Sequence, residues 1–378
     1  MEGSILIVAA EASADLHAAR ALEELRRLRP GLEAWGMGGP RLGAAGLELL
    51  HRSEEISVMG LAEVIPRIPT ILRIMRSLAA AAAVRRPRVA LLVDSPDFNL
   101  PLAKRLKKLG VKVVYYVSPT VWAWRRGRVR TIARVVDRML CILPFEERFY
   151  AGTGVSARFV GHPFADRPPP AAAERYREQL HLAPGRTTVA LVPGSRRSEV
   201  QRIFPAMLAA AELVLRRHPD AQFVVPVAPG LDEGVLRPWL AGHAGLSVAL
   251  VPGQADAAVG ASDAALVKSG TSVLEAALML RPMVVVYKLS WISYLVGRLL
   301  VRLRFFGLVN LLAGRTVVPE LLQRQASPER MARELERLLG DPEARRAQLE
   351  GLSEVRRSLG EPGAPLRVAE EIARMAEP

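Results

Sequence analysis

The 378 residues carry 52 Lys and Arg against 38 Asp and Glu, giving a net charge of +14 and a pI near 10.7, and half of the chain is hydrophobic. This excludes a disordered chain, predicts two or three domains each able to bury a core, and points to anionic partners such as phosphorylated substrates, anionic lipid or nucleic acid. A single cysteine, Cys141 in the apolar run Met139 to Leu143, excludes an internal disulfide and a cysteine-based metal cluster. The excess of Arg (46) over Lys (6) follows the Ala- and Pro-rich composition and carries no functional weight.

The opening MEGSILIVAAEAS has an apolar run without a basic segment before it, which predicts a first strand rather than a secretion signal. No uninterrupted run of 18 apolar residues predicts a spanning helix, so the expected setting is cytoplasmic, with room for contact with a membrane surface. After the strand Ile5 to Ala10 comes the polar turn Glu11 to Asp15 and a helical pattern through Leu28. Strand, turn, helix is how a doubly wound domain begins. Ser13 and Asp15 suit a helix N-terminus, so capping and a place in a site both stay open for them. Glu33 to Gly46 adds a second strand and the glycine-rich GMGGPRLGAAG, which lacks the strand–GxGxxG–helix order of a dinucleotide fingerprint.

Ile56 to Leu78 differs in kind. Ile71, Ile74, Met75 and Leu78 recur at helical spacing, Arg67, Arg73 and Arg76 interleave with them, and Val64 and Ile65 extend the apolar surface. Such a face can lie in a membrane interface with arginine stems reaching for phosphates, so Val64, Ile65, Ile71, Ile74 and Met75 form the expected membrane patch; a core-facing helix is the alternative.

RVALLVDSPDFN, Arg88 to Asn99, predicts a buried strand Val89 to Val93 ending at Asp94. Open α/β sheets place chemistry at the carboxyl ends of strands, which makes Asp94 the candidate catalytic base; Asp94 and Asn99 also suit a plain strand-to-helix turn. A helix to Leu109 and a strand Val111 to Val117 follow. Ser118 to Trp124 then leads into four arginines, a loop expected to line the same crevice through Trp122 and Arg125. No nucleic-acid module surrounds it, so phosphate or sugar is the expected partner. Strand candidates at Met139 to Leu143 and Phe159 to Val160, and the turn Gly161-His162-Pro163, complete a first lobe of residues 1–165, and the break at Pro168 to Pro170 ends it.

The second lobe, residues 166–345, opens with the strand Thr188 to Val192 and the turn Pro193-Gly194-Ser195-Arg196, which enters a helix to about Arg217. Free N–H groups, the positive end of the helix and Arg196 together suit a phosphate. Strands at Gln222 to Val227, Ser247 to Val251 and Ala264 to Val267 follow. The last runs into Lys268-Ser269-Gly270-Thr271 and a helix through Leu278, with Glu275 one turn deeper and suited to a ribose hydroxyl. Beyond a strand Met283 to Tyr287, Trp291 to Gly307 carries Arg298 and Arg302 on one helix face, either a second membrane-surface element or an ordinary packed helix. Asn310 to Arg315 is a loop with an exposed-looking Asn and Arg. The charged helices of residues 346–378 are expected to cross back onto the first lobe. The architecture expected is two Rossmann-like doubly wound lobes facing across a cleft, the glycosyltransferase B-type fold.

VDSPDFN (93–99), YVSPTVWAWR (116–125), LPFEERFY (143–150), FVGHP (159–163), LVPGSRRSEV (191–200), SGTSVLEAAL (269–278) and NLLAGR (310–315) resemble, in order, the lipid-A-disaccharide synthase family. The resemblance implies an inverting, metal-independent transferase that joins a UDP-linked diacylglucosamine to diacylglucosamine 1-phosphate at the cytoplasmic face of the inner membrane. It implies Asp94 as base, Arg196 at the donor diphosphate, Glu275 at the UDP ribose, and Gly194, Ser195, Ser269, Gly270, Thr271 and Asn310 in the same donor site. Glu11, Ser13, Asp15, Asn99, Trp122, Arg125 and His162 would line the acceptor side. No cofactor and no nucleic acid are expected, and a homodimer stays open. Another UDP-sugar transferase, a UDP-N-acetylglucosamine epimerase and a non-catalytic membrane-binding relative are the alternative readings. The chain departs from the family pattern at Ala10, Ala14 and Ala18, where glycines are usual; any of these positions needing a positive φ would be strained by alanine.

Overall fold

The computed structural model describes residues 3–56, 65–289 and 304–377, apart from the side chains of Ile65 and Thr271. The chain forms two compact units, Met1–Arg167 with Leu359–Pro378, and Pro168–Ser358.

The first unit is built on strands β1 (Ser4–Ala9), β2 (Glu33–Gly38), β3 (Glu48–Arg52), β4 (Val89–Val93), β5 (Lys112–Tyr116), β6 (Arg138–Cys141) and β7 (Ala157–Phe159), ordered 3-2-1-4-5-6-7. All their pairings are parallel. A parallel sheet covered on both faces needs strands apolar on both sides, which is why β1 and β4 read as continuous runs. Within β1, Leu6 and Val8 join Trp35, Leu92 and Tyr115 in the core on one face, while Ile5, Ile7 and Ala9 join Leu91 and Val93 on the other. The half-buried edge strand β3, ELLHR, has no apolar run and gave no sequence signal.

The helix Ile68–Arg85 seals the first of these faces with Ile74, Met75 and Leu78, and Ile71 packs partly against the same cluster. This corrects the expected membrane patch: Ile74 is 0% and Met75 3% exposed. Solvent instead meets Ile68 (45%) and Leu72 (36%), beside Arg67, Arg73 and Arg76. Val64, the Ile65 side chain and most of the Trp291 to Gly307 stretch lie outside the described residues.

On the opposite face the helix Ala12–Leu28 packs against the last helix, Ala364–Ala376. Ala14, Ala18 and Ala19 meet Val368, Ala369 and Ile372 in one cluster, and small residues there let the two backbones approach. Ala10, Ala14 and Ala18 all have ordinary negative φ, so alanine carries no backbone strain at these positions. The buried Glu371 anchors the last helix by pairing with Arg138, Arg158 and Arg374. Return to the first unit thus belongs to residues 359–378 alone; the helix Pro342–Ser358 stays in the second.

The second unit repeats the plan with β8 (Thr188–Val192), β9 (Gln222–Val227), β10 (Val248–Pro252), β11 (Ala264–Lys268), β12 (Met283–Tyr287) and β13 (Glu320–Leu322), ordered 10-9-8-11-12-13. The helices Arg197–Arg217 and Pro328–Gly340 pack one face of this sheet around Phe204, Phe223 and Leu335. The three-residue β13 escapes sequence reading because it is too short to show a period.

Candidate active site

In a doubly wound sheet, the carboxyl ends of two strands whose connections leave in opposite directions open a crevice. The strand orders place that switch between β1 and β4 in the first unit and between β8 and β11 in the second. The register Ala9↔Val93 brings Glu11 and Asp94 to the first switch, and Val192↔Val267 brings the turns after β8 and β11 to the second.

At the first switch the backbone is strained. Asp94 (φ +50°), Ser95 (φ +44°) and the β-branched Val117 (φ +67°) all take the left-handed region that such residues rarely enter. Strain of this kind persists where the surroundings over-determine it, often at functional sites. Here Tyr115 Oη and Asn99 Nδ2 donate to the Asp94 carbonyl, and the Asp94 N–H donates to Tyr116 O at 2.9 Å. Burial, and then the neighbouring Glu11 carboxylate, raise the Asp94 carboxyl above its usual range, while the Ser95 N–H opposes this. Ser95 Oγ donates to Glu11 Oε1 at 3.2 Å, which ties the two strand ends together. The result is a desolvated carboxylate with increased basicity.

The other residues expected on the acceptor side divide. Asn99 is buried and its Nδ2 donates to the carbonyls of Val93 and Asp94, so it shapes the turn, while its buried Oδ1 has no hydrogen-bond partner. Asp15 is buried too: it accepts from the N–H groups of Gly39, Arg41 and Leu42 and caps the short helix Pro40–Ala44. That capping explains glycine at 39, because a Cβ there would sit 2.7 Å from the Asp15 carboxylate. Ser13 is exposed on the first turn of the helix that Glu11 begins. His162 is buried and accepts the Phe164 N–H at 3.1 Å; burial, then His17 and Arg167, hold its imidazole down at about 3, so it stays neutral and structural.

The Ser118 loop gathers at the helix Pro96–Lys108, which follows Asp94. Arg125 stacks on Trp124 at 4.3 Å and pairs with Asp97 at 3.3 Å, and Arg128 pairs with the same carboxylate. Trp122 Nε1 donates to Glu146 Oε1 at 3.1 Å. Glu146 escaped sequence reading, although LPFEERFY sets it five residues after the end of β6. It is 1% exposed, and burial, only partly opposed by the Leu143 N–H, Trp122 and Ser118, lifts its carboxyl to about 7. Ser118 Oγ also meets Tyr150 Oη at 2.9 Å, so the loop is rooted in a buried polar network.

At the second switch, Gly194, Ser195, Arg196, Lys268, Gly270 and Glu275 line a cavity of about 400 Å³. Gly194 has φ +112°, and a Cβ there would lie 2.6 Å from Glu199 Oε2, so only glycine fits. Arg196 is largely exposed at the cavity and Glu275 half-buried. Ser269 is buried with its N–H on Val286 O, outside the lining; Thr271 begins the helix Thr271–Leu278. Asn310 is corrected outright. It is 1% exposed, its Nδ2 donates to Val318 O and Glu320 Oε1, and its Oδ1 accepts from the N–H groups of Val317 and Val318. An amide with four bonds made holds a loop and has none left for a donor.

Known proteins bear on this geometry at two levels. A family model described as lipid-A-disaccharide synthetase matches residues 5–364. The chain is 72% identical over 368 residues to the lipid-A-disaccharide synthase of Anaeromyxobacter dehalogenans (strain 2CP-C), covering 97% of this chain and 96% of that one. It is 55% identical over 375 residues to the synthase of Myxococcus xanthus (strain DK1622), covering 99% and 98%. Among solved structures, the glycosyltransferase of kitacinnamycin aligns with a TM-score of 0.64 at 18% identity, covering 99% of each chain, a likeness of fold.

Proposed function

The chain belongs to the lipid-A-disaccharide synthetase family, and from that premise we propose how its residues share the work. The reaction moves a 2,3-diacylglucosamine from UDP onto 2,3-diacylglucosamine 1-phosphate, giving the β-1,6-linked disaccharide 1-phosphate and UDP. Asp94 takes the proton of the acceptor hydroxyl as its oxygen attacks the anomeric carbon from the side opposite the departing UDP. The observation that carries this assignment is the half-buried Asp94 carboxyl at the end of β4 beside Glu11, which desolvation and that like charge make more basic than an ordinary aspartate.

The donor side belongs to the second unit. Arg196 and the N–H groups of the Pro193 to Arg196 turn meet the charge that grows on the diphosphate, with no metal required, and Glu275 takes the ribose. The exposed Ile68 and Leu72, set among Arg67, Arg73 and Arg76, are the face on which the first unit rests against the anionic, cytoplasmic surface of the inner membrane, where both acylated substrates reside.

Asp94→Asn tests the assignment. Incubated with both diacyl substrates and followed by mass detection of the disaccharide, the variant should lose about 10²–10⁴ of turnover while calorimetry shows UDP binding unchanged. Wild-type turnover in Asp94→Asn would overturn the assignment.

A further inference from the structure

Lys268 is the last residue of β11, next to the β8 turn by the register Val267↔Val192, and it lines the same cavity as Arg196. Its side chain is only 15% exposed. An ammonium this desolvated needs a counter-charge, and Glu199 Oε1 supplies it at 2.8 Å. The other oxygen of that carboxylate draws the N–H groups of Ser195 (3.3 Å) and Arg196 (3.4 Å). Glu199 therefore engages one ammonium, the Arg196 guanidinium (3.4 Å) and two N–H groups on the wall of the cavity, a donor set suited to phosphate oxygens.

We infer that Lys268 is a further diphosphate-binding residue of the donor site, and that Glu199 is its positioning residue, presenting to the same donors a negative charge with which the phosphates compete. The inference rests on the donor-site reading above and adds to it a cation and a competing carboxylate. The ligand class is a nucleoside diphosphate, with the recognition directed at the phosphates and not at the nucleoside.

Calorimetry of the full chain with UDP and with uridine separates these. In Lys268→Met, UDP binding should weaken about tenfold or more, the loss of one charge-assisted contact, with uridine binding unchanged. Lys268→Arg should restore most of the UDP preference. Glu199→Gln keeps an acceptor for the turn but removes the competing charge, and should tighten UDP severalfold. The double variant Glu199→Gln/Lys268→Met removes both members of the half-buried Lys268–Glu199 pair and leaves only the exposed Arg196 without its carboxylate, so it guards against misfolding, and should also lose the preference for UDP over uridine. A wild-type ratio of UDP to uridine affinity in Lys268→Met and in the double variant overturns the role of Lys268, and weaker UDP binding in Glu199→Gln overturns the competition. Failure of the wild-type chain to bind UDP at all is a different result, and removes the donor-site reading itself.

Discussion

Asn310→Ala separates a residue that holds a loop from one that holds a ligand. The substitution removes four hydrogen bonds of 2.7–2.9 Å and strands the N–H groups of Val317 and Val318 and the carbonyl of Val318 in a site where Asn310 is 1% exposed. A buried polar group left without its partner costs about 1–3 kcal/mol. Three such groups, with partial relaxation of the Arg315 to Glu320 loop, put the loss near 3–5 kcal/mol. For a unit of about 190 residues, at about 2–4 °C per kcal/mol, the melting transition should fall by about 10 °C. Asn310→Asp keeps an acceptor for the two N–H groups but turns a carboxylate oxygen toward Glu320 and the Val318 carbonyl, so it should also destabilise, more at neutral pH than in acid. Thermal unfolding followed by circular dichroism reads the stability, and calorimetry with UDP below the transition reads binding. An unchanged melting temperature together with a tenfold loss of UDP affinity would refute the structural role and return Asn310 to the donor.

Three further outcomes follow from the electrostatics and the surface. Glu11→Gln removes the like charge that helps raise the Asp94 carboxyl, so the acid limb of the kcat/KM profile should move to lower pH; an unmoved limb refutes the coupling. Glu146 has a folded-state value of about 7 against about 4.5 unfolded, so the folded chain binds the extra proton between those values and loses stability as pH rises through them. Gln cannot titrate, so the stability of Glu146→Gln relative to wild type should improve from pH 5 to pH 8; parallel curves in urea denaturation would contradict this. Ile68→Ser with Leu72→Ser should weaken binding to vesicles of anionic phospholipid with the fold intact, whereas Ile74→Ser should lower the melting temperature; the reverse pattern would restore the patch expected from periodicity.

The elements were largely legible. Continuous apolar runs at Ile5 to Ala9, Val89 to Val93 and Thr188 to Val192 declare strands buried on both faces, and their polar terminations at Glu11, Asp94 and Pro193 declare where loops begin. The helix Ile68–Arg85 was legible as amphipathic but not as to which side is covered. Periodicity marks an apolar stripe, and a sheet and a membrane both accept one. The edge strand β3 has no apolar run, and the three-residue β13 is too short to show any period.

Among polar residues, type and spacing propose a role, and only the fold says whether the side chain is already spent. Asp15, Asn99, His162 and Asn310 all sit in or near motif stretches; Asp15, His162 and Asn310 bond backbone groups, and Asn99 commits its Nδ2 to backbone while its buried Oδ1 has no partner. Glu146 and Lys268 carried little signal because their importance lies in burial and in partners from other elements, Trp122 and Glu199.

By itself the sequence determined two parallel α/β units, the motif order that names the family, and the strand-end position of Asp94. Tertiary structure decided which strand ends become neighbours. The crossovers set the orders 3-2-1-4-5-6-7 and 10-9-8-11-12-13, and adjacency in a parallel sheet is a property of those connections, not of any local run of residues. That is why Glu11 meets Asp94 across 83 positions of chain, and Lys268 meets Glu199 across 69.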